Sequence, residues 1–238
     1  MRAHMHFIVG MSRSGITWLS RCLNLHPAIT VFGQSRFWGK YFLLPKNGMV
    51  YSADERRQLH RTMRSFTWDC TVGDSPGCFK GLDLERFRDL IDSVFDGITA
   101  PITPSAHFAR LALSIARQTG KPIVIEKTPH HIKHVDRILA AYPQAKFIIL
   151  YCGPYDYIRV QRAQSDLPFD PIVVALLWRR YHIACQEVMA LYPNQAVRVT
   201  FTELLDEPKN AIARVLSFLE IPMQDLSAQM PSCRLTFP

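Results

Sequence analysis

The sequence predicts an α/β fold, a P-loop-like three-layer arrangement in which a mostly parallel sheet of about five strands is flanked by helices. Three observations predict it. Short runs of β-branched and aromatic residues alternate with longer helical stretches. The short runs are apolar on both faces, as strands covered from both sides must be. The first of them passes through a glycine-bounded turn directly into a helical stretch.

The elements follow in order. Strands are expected at His6–Val9, Ile29–Phe32, Ile123–Glu126, Lys146–Tyr151 and Val197–Phe201. The first helix, Thr17–Leu25, is stopped by His26-Pro27, and Leu84–Phe95 follows. Ser105–Gln118 is stopped by Gly120, and His131–Ala141 by Pro143. Tyr155–Ser165, Pro171–Leu191 and Pro208–Leu219 complete the set, the last with Asp206 as N-cap candidate and Pro208 in the first turn, where its missing N–H does no harm. The stretch Gly39–Asp83 breaks the rhythm with Tyr41, Phe42, Pro45, Asn47, Gly48, Tyr51 and a Gly73-Asp74-Ser75-Pro76-Gly77 turn. Residues 39–83 therefore read as a lid or substrate-binding insertion, or as a loosely packed helical excursion, in one domain spanning 1–238.

Of the 238 residues, 48% are hydrophobic and 20% charged, which excludes a disordered chain. The longest aliphatic run, Ile172 to Leu177, is closed by Trp178-Arg179-Arg180 and is expected to be a buried helix segment, far short of the roughly 18 residues a membrane span requires. The opening Met1-Arg2-Ala3-His4-Met5-His6 lacks the apolar region of a secretion signal, so a cytoplasmic protein is expected. Twenty-eight Lys and Arg against 20 Asp and Glu leave a net +8, a field that favours an anionic partner. No nucleic-acid motif accompanies that charge, so no nucleic-acid partner is expected. Six scattered cysteines (Cys22, Cys70, Cys78, Cys152, Cys185, Cys233) form no C-x-x-C pair. Most are expected to be reduced and buried, with Cys70 and Cys78 able to pair in an oxidising compartment.

The segment from His6 to Leu19 is the richest in chemistry. Gly10 and Gly15 have P-loop spacing, so backbone N–H groups and a helix N-terminus can surround an anion. A Walker A loop carries Lys after its second glycine to meet the β- and γ-phosphates; here that residue is Ile16, which argues against an NTPase or kinase. Arg13 supplies the cation from inside the loop, and the Ser14 and Thr17 hydroxyls can donate to the same oxygens.

With these residues on the page, the chain resembles the sulfotransferase family, in particular its carbohydrate-type and bacterial members. Gly10-Met-Ser-Arg-Ser-Gly-Ile-Thr-Trp-Leu19 is similar to the family's 5′-phosphosulfate loop, and Glu126-Lys127-Thr128-Pro129 to its E-K-T-P segment. Phe147–Leu150 with Gly153-Pro154-Tyr155-Asp156 resembles the strand and turn of its 3′-phosphate motif, and Phe201–Leu205 with Phe218–Pro222 its late segments. The resemblance implies transfer of a sulfuryl group from 3′-phosphoadenosine 5′-phosphosulfate (PAPS) to a hydroxyl or amine of a small molecule or carbohydrate. It implies nucleotide contacts from Gly10, Ser12, Arg13, Ser14, Gly15, Ile16, Thr17 and Trp18, and catalytic roles for Arg13 and Lys127.

The chain departs from the family pattern at three places. The position of the Glu that takes the acceptor proton is Gln34, an amide that can orient an acceptor but cannot take its proton. His130 and His131, beside the E-K-T-P segment, are then the candidate bases, with His107 a further one. Phe37 and Trp38 are candidate acceptor walls. In the 3′-phosphate motif the expected Arg is Cys152 and the expected Ser is Val160, which removes a bidentate cation and a hydroxyl from one subsite. Arg159 or Arg162, one or two helical steps away, is the candidate replacement. A donor lacking the 3′-phosphate, such as adenosine 5′-phosphosulfate, and a protein that binds without transferring, are the alternatives these departures raise. His130 and His134 stand at i,i+4 without a carboxylate motif, so no metal is expected.

Overall fold

The structure is a computed structural model that describes residues 4–33, 35–39, 46, 48–65, 84–96, 98–164 and 170–224. Five parallel strands form one sheet: β1 (His4–Gly10), β2 (Ile29–Gly33), β3 (Ile123–Lys127), β4 (Phe147–Tyr151) and β5 (Ala196–Thr200), in the order β2-β3-β1-β4-β5. The chain leaves β1 towards β2 on one side and passes from β4 to β5 on the other, so the crossovers part company at β1 and β4. Open α/β sheets bind ligands beyond the strand C-termini at such a switch point.

Two strands in register, β1 and β4, fix the outer layers. Phe7, Val9, Phe147 and Ile149 face one hydrophobic cluster, and Ile8, Ile148 and Leu150 face the other, the period-2 alternation of a sheet buried on both sides. The second cluster is closed by α1 (Ile16–Asn24), α8 (Phe201–Asp206) and α9 (Pro208–Phe218). The first is closed by α2 (Ala53–Ser65), α3 (Leu84–Phe95), α4 (Pro104–Thr119), a 3₁₀ turn at Pro129–His134 leading into α5 (Val135–Ala141), α6 (Pro154–Gln164) and α7 (Pro171–Leu191). The α1 C-terminus is pinned from outside, because the Lys121 ammonium donates to the carbonyls of Asn24, His26 and Ile29 at 2.8–3.0 Å.

The expected strands are all present, and three details differ. Phe201, expected to end the last strand, opens α8 instead: Thr200 accepts from Glu203 N at 3.2 Å while Glu203 accepts from Thr200 N at 2.7 Å, a capping box that turns the chain. Within 39–83, α2 begins in the same way, with Ser52 and Glu55 each accepting from the other's N–H. Residues 40–45, 47 and 66–83 of that stretch, and with them Cys70 and Cys78, lie outside the described residues. The aliphatic run is not buried: Ile172, Val173 and Leu176 are more than half exposed, because α7 turns only the stripe through Val174, Trp178, Tyr181, Cys185 and Val188 towards the sheet. Among the described residues no helix is long and apolar enough to cross a membrane.

Candidate active site

The turn after β1 is shaped by what glycine permits. Gly10 has φ 115°, and a Cβ there would sit 2.3 Å from the Leu150 carbonyl oxygen of the neighbouring strand. Met11 N donates to that same carbonyl at 2.9 Å, which extends the β1–β4 ladder into the turn. Arg13 is left-handed at φ 66°, a conformation that costs a non-glycine residue about 1–2 kcal/mol and is found where a site requires it. Its side chain is exposed, as is that of Thr17, and Ser12 is half-buried. Ser14 is buried and donates to Met11 O at 2.5 Å, so its hydroxyl braces the turn. Ile16 and Trp18 turn their side chains into the cluster between α1 and α9 and leave only their amides at the turn. Gly15 caps α1 with no side-chain hydrogen bond, so the first N–H groups of this nine-residue helix face the loop mouth without a side-chain acceptor. The turn thus offers amides, a guanidinium and hydroxyls to one oxyanion.

The end of β3 lies two strand positions lower on the adjacent strand, with Lys127 in register with Ile8 and with Gly33. Val124 faces the α4 side and Ile125 the α1 side, so the alternation carries Glu126 to the former and Lys127 to the latter, the side on which α1 starts. Gly33 permits this: a Cβ there would stand 2.2 Å from the Lys127 carbonyl oxygen and 3.0 Å from its Cβ. Lys127 is 1% exposed, and no hydrogen bond or ion pair to its ammonium is found among the described residues. A buried cation without a counter-ion is costly, and an anionic ligand would remove that cost.

Glu126, fully buried, ties three segments together. Its Oε1 accepts from Ser35 N (3.0 Å), Ser35 Oγ (2.6 Å) and Thr128 Oγ1 (2.5 Å), and its Oε2 lies 2.8 Å from His131 Nδ1, an ion-pair distance without an aligned hydrogen bond. Burial works against the carboxylate, yet its neighbour His131 and the Ser35 and Thr128 donors together hold its pKa below the ordinary value. His131 is also fully buried, and its Nε2 accepts from Trp38 N at 3.0 Å, so the ring presents no lone pair to a ligand. Arg36 N donates to Thr128 Oγ1, and Phe37 and Trp38 pack into the core against Phe108. Gln34, between Gly33 and Ser35, lies outside the described residues.

His130, the next residue back, is exposed. Its Nδ1 hydrogen-bonds the hydroxyl of Tyr181, a residue of α7 whose ring stacks on the imidazole at 5.7 Å. Partial burial, then Lys133, Arg36, His131 and Arg180, lower its pKa, so the ring is neutral at pH 7, and the Tyr181 hydroxyl also stands 3.5 Å from its Nε2. His107 lies elsewhere, buried among Phe37, Tyr51 and Phe95, with neither ring nitrogen hydrogen-bonded. Burial, then Arg110, Arg56 and His60, push its pKa down to about 4.

The end of β4 has a different character. Cys152 is buried in the main cluster, its amide donates to Met11 Sδ at 3.4 Å, its carbonyl accepts from Trp178 Nε1 at 2.9 Å, and burial pushes its thiol up to about 12. Val160 is buried in the same cluster, whereas Arg159 and Arg162 are exposed on α6. Among the described residues no group of three His, Cys, Asp or Glu side chains could hold a metal ion.

Sequence reasoning named the loop, Lys127 and His130 but not Tyr181, 51 residues from its histidine, nor the Ser35 and Thr128 partners of Glu126. The signal for Tyr181 was its place on the inward stripe of α7.

The profile of the Sulfotransferase family matches residues 6–225. The chain belongs to the sulfotransferase family. Its fold is also that of solved sulfotransferase domains. One, from the olefin synthase of Synechococcus PCC 7002, is 18% identical, with a TM-score of 0.64 over 94% of this chain and 76% of that one. Another, from the curacin biosynthetic pathway, is 17% identical, with a TM-score of 0.61 over 95% and 76%. An uncharacterized protein of Aquifex aeolicus (strain VF5) is 22% identical over 228 residues, 92% of this sulfotransferase-family chain but only 26% of that protein's length.

Proposed function

We propose that this chain transfers a sulfuryl group from PAPS or a related adenosine phosphosulfate to a hydroxyl or amine of a small molecule or carbohydrate. The observation that supports the reading is the pairing of an oxyanion-shaped turn at Gly10–Thr17 with buried Lys127, which has no ion pair among the described residues. When bound, the donor supplies an activated sulfuryl group on a phosphate leaving group. The amides after Gly15, the Arg13 guanidinium and the Thr17 hydroxyl hold the 5′ anion, and Ser12 reaches it from the loop mouth. Lys127 stabilises the charge that grows on the bridging oxygen, the kind of fixed electrostatic aid that dominates such reactions. His130 takes the acceptor proton at Nε2. Glu126 and His131, whose polar atoms are engaged with Ser35, Thr128 and Trp38, position the acceptor-side turn.

The residues fit the 5′ end of such a donor better than its 3′ end. Cys152 and Val160 offer a 3′-phosphate nothing, and Arg159 or Arg162 would have to reach it from the α6 surface. Calorimetric titration with adenosine 3′,5′-bisphosphate and adenosine 5′-monophosphate tests this directly. The expected preference for the bisphosphate is below about tenfold, less than one bidentate arginine contact provides; a preference well above that refutes it.

Cys152 and Val160 also favour a second reading, a sulfotransferase-fold protein that binds an anionic nucleotide without transfer. Incubation with labelled PAPS or adenosine 5′-phosphosulfate and a panel of alcohols, phenols, amines and sugars separates the two. Transfer that disappears in Arg13→Ala supports the enzyme; nucleotide binding without any labelled product supports the binder.

A further inference from the structure

Helix α7 carries two apolar stripes. One packs on the sheet; the other, on the flank towards the 3₁₀ turn and α5, leaves Leu176 58%, Ile183 44% and Leu191 68% exposed. A surface helix ordinarily turns charge to water on such a face, so an aliphatic row here marks an interaction surface. Beside it runs a groove between α7 and α5, floored by Ile132, Val135 and Val188. Its rim is polarised. Lys133 and Arg180 stand at one end, while Asp136, which accepts from the Tyr192 hydroxyl at 2.9 Å, and Glu187 stand at the other.

The exposed row has a symmetry of its own. Leu176, Arg180, Ile183, Ala184, Glu187 and Leu191 follow one another at steps of four, three, one, three and four, the same read from either end. At 3.6 residues per turn, all six fall within about 100° of the helix circumference. An identical helix laid antiparallel about an axis between Ile183 and Ala184 sets Leu176 against the partner's Leu191, Arg180 against the partner's Glu187 and Ile183 against the partner's Ala184. At a rise of 1.5 Å per residue the charges lie about 5 Å from that axis and the leucines about 11 Å, near enough to stay in contact at the roughly 20° crossing of bundled helices. We propose that this face of α7 is a self-association surface, on which a second copy of the chain docks through a two-fold axis between Ile183 and Ala184.

The charges choose a second copy over other occupants. No ion pair to Lys133, Arg180 or Glu187 is found among the described residues. Burial first, and then the Arg180 guanidinium, lower the Lys133 pKa, so the positive end of the rim is crowded and short of a carboxylate. Glu187 lies about 10 Å from Arg180 along the same helix and cannot supply it. An identical helix running the other way can. A purely acidic or purely basic partner would leave one end of the rim unmatched, whereas a copy of the chain matches both.

Sedimentation equilibrium of the full chain tests this. The 27.3 kDa wild type is expected to reach twice that mass with a dissociation constant on the order of 10 μM, because one helix pair with its rim covers less than the usual ~800 Å² per partner. Arg180→Glu and Glu187→Arg each turn two attractions into repulsions, and each should weaken the dimer at least about tenfold. Both residues are exposed, so the far-ultraviolet circular dichroism should not change. Mixed in equal amounts, the two variants should pair with each other, and the doubly reversed chain should dimerise as the wild type does. A wild type still monomeric at about 200 μM, well above that constant, overturns the proposal. So does a monomer that pellets with anionic phospholipid vesicles, which gives the face to a membrane surface. A dimer indifferent to both reversals and to Leu176→Asp uses another face, and overturns it as well.

Discussion

The two strands that flank β1 in this sheet, β3 and β4, bury opposite chemistry at their ends. Around the end of β3, the interior holds a carboxylate, an ammonium and an imidazole: Glu126, Lys127 and His131 are all essentially inaccessible. At the end of β4, the corresponding interior holds Cys152, Val160 and Tyr157. Buried charge is retained against a large desolvation cost only where partners or a ligand compensate it. Glu126 has its partners within the protein, and Lys127 has none among the described residues. The contrast teaches that this chain buries charged and polar side chains on the side of the Glu126–His131 segment and packs the end of β4 as ordinary core.

The most disruptive way to break that comparison is Cys152→Arg. If the β4 end is core, the arginine does not rebuild a phosphate site; it places an unpaired charge there and lowers stability by about 3–5 kcal/mol, measurable by urea unfolding. A stable variant with a sharply increased preference for the bisphosphate would show instead that a subsite persists. Next comes Lys127→Ala, expected to reduce kcat by about 10²–10³-fold while leaving stability unchanged or raised, since the lost charge has no ion pair among the described residues. A substantial fall in Tm without loss of kcat would make the lysine structural.

A third test uses pH on the α4 side of the sheet. The unfolded chain protonates His107 near its ordinary value of 6.5, whereas the folded chain resists until about 4, so between these values the unfolded state holds more protons. Stability therefore falls as pH drops through that window, by at most about 3 kcal/mol at its lower end. His107→Leu should flatten the unfolding free energy between pH 6.5 and 4, and a wild-type slope surviving in the variant assigns the effect elsewhere. Glu126 acts further down: its pKa lies below the ordinary 4.5, so its contribution is complete above that value and is lost as pH falls below it. The smallest change expected is that of Val160→Ser, about 1–2 kcal/mol of stability from a buried hydroxyl, with the ratio of bisphosphate to monophosphate affinity unmoved.

The strands and the glycine-bounded turn after β1 were legible because their signals are local: apolar runs of both-face burial, and two glycines at fixed spacing before a helical pattern. Both helices that escaped the sequence reading, α2 and α8, announce themselves by capping boxes, Ser52 with Glu55 and Thr200 with Glu203. Each was obscured by what surrounds it. The α2 segment is so rich in arginine that its apolar stripe is thin, and Phe201 follows a strand without a break. The aliphatic run of α7 misled because hydrophobicity says nothing about which face finds a neighbour. Least legible were the contacts of Tyr181 and Ser35, which depend on segments brought together from 51 and 91 residues away.

The missing side chain at Gly33 sets a boundary for anyone who would retarget this protein. With 2.2 Å between a Cβ there and the Lys127 carbonyl oxygen, every substitution wedges β2 away from β3 and drags the acceptor turn off its anchor. A combinatorial library should therefore hold residue 33 constant and spend its diversity beyond residue 39, away from the contact that seats Lys127.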